Sequence, residues 1–139
     1  MLQIIRAKYE VKKINPTKIS IKTKEENLII QIFFIPIAVF VTSDYKSISP
    51  IINPVIAIDT DKPKYGELCS PIKISSHTPE KIEEQKILDE GGTEIYLNEN
   101  EREYLIKGKI TNLNIYTDLR DQLGNPCVNI SWTVLTIAK

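Results

Sequence analysis

Enzyme chemistry needs a nucleophile, a base, a set of metal ligands or a phosphate cradle, and this sequence is sparing with all of them. Its one histidine, His77, lies in the polar stretch SSHTPEK. It is the only imidazole available to activate Cys69 or a serine. No spacing around it repeats a nucleophile–base pattern, so it reads as a solvated residue. Asp59-Thr60-Asp61 puts two carboxylates at the end of an apolar stretch, VIAID. Such a pair can hold Mg²⁺ or work as acid and base, and Asp118 and Asp121 would join it if the chain folded them near. The simpler reading of Asp61-Lys62-Pro63 is a turn.

Two cysteines and one histidine supply no zinc cluster. Cys69 and Cys127 read as two buried thiols, with one disulfide as the alternative. Gly91-Gly92 falls after the expected helix, at the wrong end of its dipole for a phosphate. The expectation is a non-catalytic protein with no metal and no cofactor.

The elements that would position these residues follow from composition. The chain has 139 residues, the length of one domain, residues 1–139. It carries 25 Ile, 10 Thr and 6 Val against 4 Ala. β-Branched side chains are stiff and suit a pleated sheet, and the best helix former is nearly missing. The excess of Ile, Lys and Glu resembles thermophile usage, and an AT-rich genome gives the same bias. The N-terminal MLQIIRAKYEVKK has no basic leader, long apolar stretch or small-residue cleavage site, which predicts a cytoplasmic protein. Asn129-Ile130-Ser131 matches a glycosylation sequon but sits inside a predicted strand and reads as chance.

Residues 28–41 read LIIQIFFIPIAVFV. A membrane helix needs roughly 20 apolar residues, and this run is shorter and interrupted by Pro36. It predicts two strands, Leu28–Ile35 and Ile37–Thr42, with Pro36 at a bend, bulge or edge. Alternation is missing, as in strands covered on both faces. One face belongs to the core. The other needs cover, and Phe33, Phe34 and Phe40 are the candidates to meet a partner there.

Elsewhere the pattern alternates. Ile5, Ala7, Tyr9 and Val11 oppose Arg6, Lys8, Glu10 and Lys12, and Ile19 and Ile21 oppose Lys18, Ser20, Lys22 and Lys24. With Asn15-Pro16 between them, these predict an N-terminal hairpin with one wet face. Residues 43–54, with Pro50 and Pro54, predict a loop. Thr78-Pro79-Glu80 predicts a helix over 79–89, stopped by Gly91-Gly92. Strands follow at Thr93–Leu97 and Tyr104–Ile110. NLNIYTDL and CVNISWTVLTI flank the turn formers RDQLGNP and predict a C-terminal hairpin with Trp132 inward. The expected fold is mainly β: a single-domain antiparallel β-barrel or two-layer β-sandwich of about eight strands, with one short surface helix.

The net charge is zero, yet it is divided along the chain. Residues 1–24 hold seven basic residues and one acid, net +6; residues 80–103 hold nine acids and three basic residues, net −6. Lysine on sheet faces and edges keeps a β protein soluble. The two segments could also meet each other, within or between subunits. The main functional expectation is a non-catalytic interaction or assembly protein that self-associates or docks on a partner protein through an apolar β surface, with no membrane involved. The alternative is a small OB-like nucleic-acid-binding module using Arg6, Lys8, Lys12, Lys18, Lys22 and Lys24. No aromatic lies on that basic face to stack bases, since Tyr9 points inward and Tyr45 and Tyr65 fall in loops.

Overall fold

The computed structural model describes residues 2–139. Ten strands and one helix run in the order β1 (Ile4–Arg6), β2 (Tyr9–Asn15), β3 (Thr17–Thr23), β4 (Asn27–Thr42), β5 (Ile48–Thr60), β6 (Glu67–Leu68), α1 (Pro71–Ser76), β7 (Ile82–Asp89), β8 (Gly92–Leu97), β9 (Arg102–Arg120) and β10 (Pro126–Ala138). They form two five-stranded sheets. The first is built on β4: β5 takes one edge, β3 and β1 share the other, and β7 lies outside β3. The second is built on β9: β10 takes one edge, β8 and β6 sit at opposite ends of the other, and β2 lies outside β8. Every pair is antiparallel except β6–β9. The sheets form a sandwich and do not close into a barrel. No helix among the described residues is long and apolar enough to cross a membrane.

The apolar run is one strand, not the two expected. Along β4, Leu28, Ile30, Ile32 and Phe34 are buried, and Ile29, Gln31, Phe33 and Ile35 face outward. Between Pro36 and Ala38 a bulge adds a residue, after which Val39 and Val41 are the buried ones. One extra residue reverses which positions face the core. Pro36, which has no N–H to donate, stands where neither β3 nor β1 pairs with β4, and its carbonyl accepts from the Tyr9 hydroxyl at 2.9 Å. The Phe34 carbonyl accepts from the Thr93 hydroxyl at 2.8 Å.

The segment expected as a loop, 43–54, mostly belongs to β5. Pro50 and Pro54 fit because β5 is an edge strand, pairing only with β4. Prolines there also block pairing with another chain. The helix expected over 79–89 is the strand β7, and the helix stands at Pro71–Ser76 instead. Ser70 caps it, accepting from the Lys73 N–H at 3.1 Å, and Pro71 follows at the first position. The Ser/Thr-Pro start signal occurs at both Ser70-Pro71 and Thr78-Pro79, and tertiary pairing decides between them. The outer edge of β3 offers unpaired backbone, and β7 brings Glu84 opposite Lys22 and Asp89 opposite Lys18.

The expected N-terminal hairpin is also absent. β2 lies in the second sheet and β3 in the first; Asn15-Pro16 carries the chain across. Glu90-Gly91 makes the return crossing from β7 to β8 alongside it, with Asn15 paired to Gly92 and the Thr17 hydroxyl donating to the Glu90 carbonyl at 2.8 Å. Gly91 has φ +67, and a Cβ there would sit 2.6 Å from the Asn15 and Pro16 carbonyl oxygens. Only glycine serves at this corner. The basic and acidic segments therefore meet within one chain, as a bent ribbon that wraps one side of the sandwich.

Between the sheets lie two apolar clusters, one around Val39, Ile95 and Tyr104, the other around Ile19, Ile30, Phe34 and Ile115. Trp132 points inward as expected and meets Phe34 edge-on, ring centres 5.7 Å apart. The sheets approach closely here: a Cβ on Gly108 would lie 2.2 Å from the Phe34 ring. A third cluster, Tyr116, Leu119 and Cys127 with Cys69 and Ile74, seats α1 against the second sheet. Cys69 and Cys127 form a disulfide, Cα atoms 5.9 Å apart, in place of the expected thiols. Near it, Arg120 and Glu26 make a buried ion pair. Nη2 meets Oε1 at 2.6 Å and Nη1 meets Oε2 at 3.0 Å, with both side chains 2% exposed.

Candidate interaction face

The outer face of the first sheet is built by simple alternation. Once Leu28, Ile30, Ile32 and Phe34 point inward, the residues between them must point out. On β4 these are Ile29, Gln31, Phe33 and Ile35, with Phe40 beyond the bulge. Ile37, the residue the bulge leaves unpaired, is 54% exposed. On β5 alternation turns Ile51, Val55 and Ala57 to the same side, with Val55 opposite Phe33 and Ile51 opposite Ala38. Val55 is 49% and Ile51 42% exposed. The inward residues of β5, Ile52, Ile56 and Ile58, supply core contacts. The one helix among the described residues lies against the second sheet, so it does not cover this face.

Of the three phenylalanines expected to meet a partner, Phe33 and Phe40 lie part-buried on this face. Phe34 does not belong with them. It is 2% exposed, held between Trp132 and Gly108 in the core. Adjacent residues of a strand point to opposite sides, so Phe33 and Phe34 could never share a surface. A dense apolar run hides that alternation.

The residues of the nucleic-acid alternative are dispersed. Lys18 and Lys22 project from β3 beside the apolar stripe, and Arg6 pairs with Phe40 from β1. Lys12 lies in the other sheet, 2.9 Å from Glu10 and over the Tyr96 ring. The Glu10 carboxylate beside it raises the Lys12 ammonium above its ordinary range. The Lys8 N–H donates to Glu99 Oε1 at 3.3 Å, and Lys24 lies in the turn between β3 and β4. No continuous basic track forms, because the expected hairpin is split between two sheets.

The residues considered for chemistry do not converge. Cys69 is oxidised, which leaves His77 no thiol to activate. The His77 imidazole lies 3.9 Å from Asp118 at the end of α1. Asp59 is on the outer face of β5. Asp61 accepts from the Asn27 N–H at 2.8 Å, and that bond holds its carboxyl below the usual carboxylate range. Asp121 accepts from the N–H groups of Leu123 and Asn125 in the β9–β10 turn. Among the described residues no three His, Cys, Asp or Glu side chains gather as a metal site.

The sequence reading missed the Glu26–Arg120 pair, which has the most burial and the most hydrogen bonds of any charged group. Arg120 also donates from Nε to the Thr117 carbonyl at 3.1 Å and from Nη1 to the Gly124 carbonyl at 3.3 Å. The Thr60 hydroxyl donates to the same Glu26 carboxylate. Ninety-four residues separate the partners, and neither stands in a motif. Compared with known proteins, the chain matches no family model, and no curated protein or solved structure matches it.

Proposed function

We propose that this is a non-catalytic assembly module that associates with a second copy of itself through the outer face of the first sheet. The observation that carries the reading is the apolar stripe Ile29–Phe33–Ile35 with Val55 and Ile51, on the sheet face turned away from the core. Contiguous apolar surface on a folded protein commonly marks an interface. Pro50 and Pro54 on β5 discourage edge-to-edge pairing, which favours face-to-face contact instead. Arg6, Lys18 and Lys22 along one side and Asp59 on the opposite strand provide charges of both signs at its margin.

The proposal includes a cytoplasmic address. The Cys69–Cys127 bond then calls for the disulfide-tolerant cytosol of a hyperthermophile. The Ile-, Lys- and Glu-rich composition suits such an origin.

Light scattering coupled to gel filtration tests the association. The wild type is expected to run as a dimer, and Phe33→Asp as a folded monomer, because a charge at the centre of an apolar interface is left unpaired. A wild type that stays monomeric across a hundredfold range of concentration, or a Phe33→Asp variant that remains dimeric, overturns the reading.

A further inference from the structure

Opposite the Glu26–Arg120 end, the sandwich opens. Arg102 and Tyr104 of β9, Thr136 and Ala138 of β10, Asn100 of the β8–β9 turn and residues 44–48 after β4 line a cleft of about 830 Å³. That volume is in the range of small-molecule sites. Three independent features converge on it.

The first is charge. Tyr104 and Ile106 are buried inward-facing residues of β9, and Arg102 follows the same alternation at the rim. Among the described residues neither Arg102 nor Lys46 is in an ion pair. Asp44 also lines the cleft, but its Oδ1 accepts from the Thr42 hydroxyl at 2.7 Å and the Lys46 N–H at 3.1 Å, fixing the turn.

The second is an unmet hydrogen bond. Asn100 donates through Nδ2 to the Tyr104 hydroxyl at 2.9 Å, and its Oδ1 is buried with no donor. Buried polar atoms are rarely left so. Asn100 and Tyr104 both line the cleft.

The third is backbone strain. The two non-glycine residues with positive φ among the described residues are Tyr45, at 58°, and Glu101, at 53°. They stand in the two turns that face each other across the cleft. Such conformations cluster at functional sites.

We propose that this cleft binds a small organic anion that carries hydroxyl groups, with the anionic group between Arg102 and Lys46, a hydroxyl donating to Asn100 and the body of the ligand against Tyr45 and Tyr104. A guanidinium holds phosphate or carboxylate oxygens with paired hydrogen bonds, and tyrosine rings give flat surface to a sugar-like body. Sugar phosphates and sugar acids share this chemistry.

Titration of the ¹⁵N-labelled protein, followed by NMR, separates the sources with four probes: glucose 6-phosphate, glucuronate, glucose and inorganic phosphate. Saturable shifts are expected with glucose 6-phosphate or glucuronate, centred on the amides of Tyr45, Lys46, Asn100 and Arg102. Arg102→Gln and Lys46→Gln should each weaken that binding about tenfold or more. Both side chains are exposed at the rim, so both variants should fold, and their spectra report it. Glucose or inorganic phosphate alone should bind at least about tenfold more weakly, since each supplies half the contacts. The inference falls if none of the probes shows saturable binding up to about 10 mM, if inorganic phosphate binds as tightly as glucose 6-phosphate, or if both folded variants bind like the wild type.

Discussion

β9 begins and ends with an arginine, and the two ends of the sandwich treat them in opposite ways. Arg120 is buried, and its guanidinium is spent on Glu26 and the carbonyls of Thr117 and Gly124. Because Glu26 leads into β4 and Arg120 ends β9, that pair clasps the two sheets. The Cys69–Cys127 bond ties the same end again. Arg102 stands at an open rim and makes no ion pair among the described residues, beside two turns with positive φ and an unmet side-chain amide oxygen. One end uses its charges to hold the fold together; the other keeps them available.

Stability measurements can break or sharpen this contrast. The largest effect is expected from Arg120→Ala, which strands a buried carboxylate: roughly 3–5 kcal/mol of destabilisation in denaturant titration. Replacing both partners by apolar side chains, Glu26→Leu with Arg120→Met, should recover most of that, since the loss comes from the unpaired charge. A single variant that costs under about 1 kcal/mol would mean that water reaches this end, and the contrast would fail.

Next comes Cys127→Ser, expected to cost roughly 2–4 kcal/mol because the bond closes a long loop in the unfolded chain. The sequence separation is 58 residues. Equal chemical stability of the oxidised and reduced proteins would show that the bond adds nothing to the clasp.

The smallest effect is expected at the open end. Arg102→Ala should change stability by no more than about 0.5 kcal/mol, as for an exposed side chain with no partner. A cost near that of Arg120→Ala would make Arg102 a structural residue as well, and the two ends would then be alike.

Much of the fold was legible because alternation and turn residues are local signals. The C-terminal hairpin around RDQLGNP and the inward Trp132 follow from a period of two and a cluster of turn formers. The helix placement failed because Ser70-Pro71 and Thr78-Pro79 carry the same capping signal, and the free edge of β3 claimed residues 82–89. The N-terminal hairpin failed because Asn15-Pro16 marks a change of direction without saying which sheet comes next. On β4, Phe33 and Phe40 lie on the outer face where they were expected and Phe34 lies in the core, since a run with almost no polar residues conceals which parity faces the core.

The sequence by itself determined the β class, the length of the apolar run, and the division of charge between two segments. These depend on side-chain type and spacing within a few residues. Tertiary structure alone decided that the charged segments meet as one bent ribbon, that Glu26 finds Arg120, and that Arg102 is left at an open mouth. Each of these is a meeting between residues far apart in the chain, set by how two sheets stack, and no local pattern encodes the distance between them.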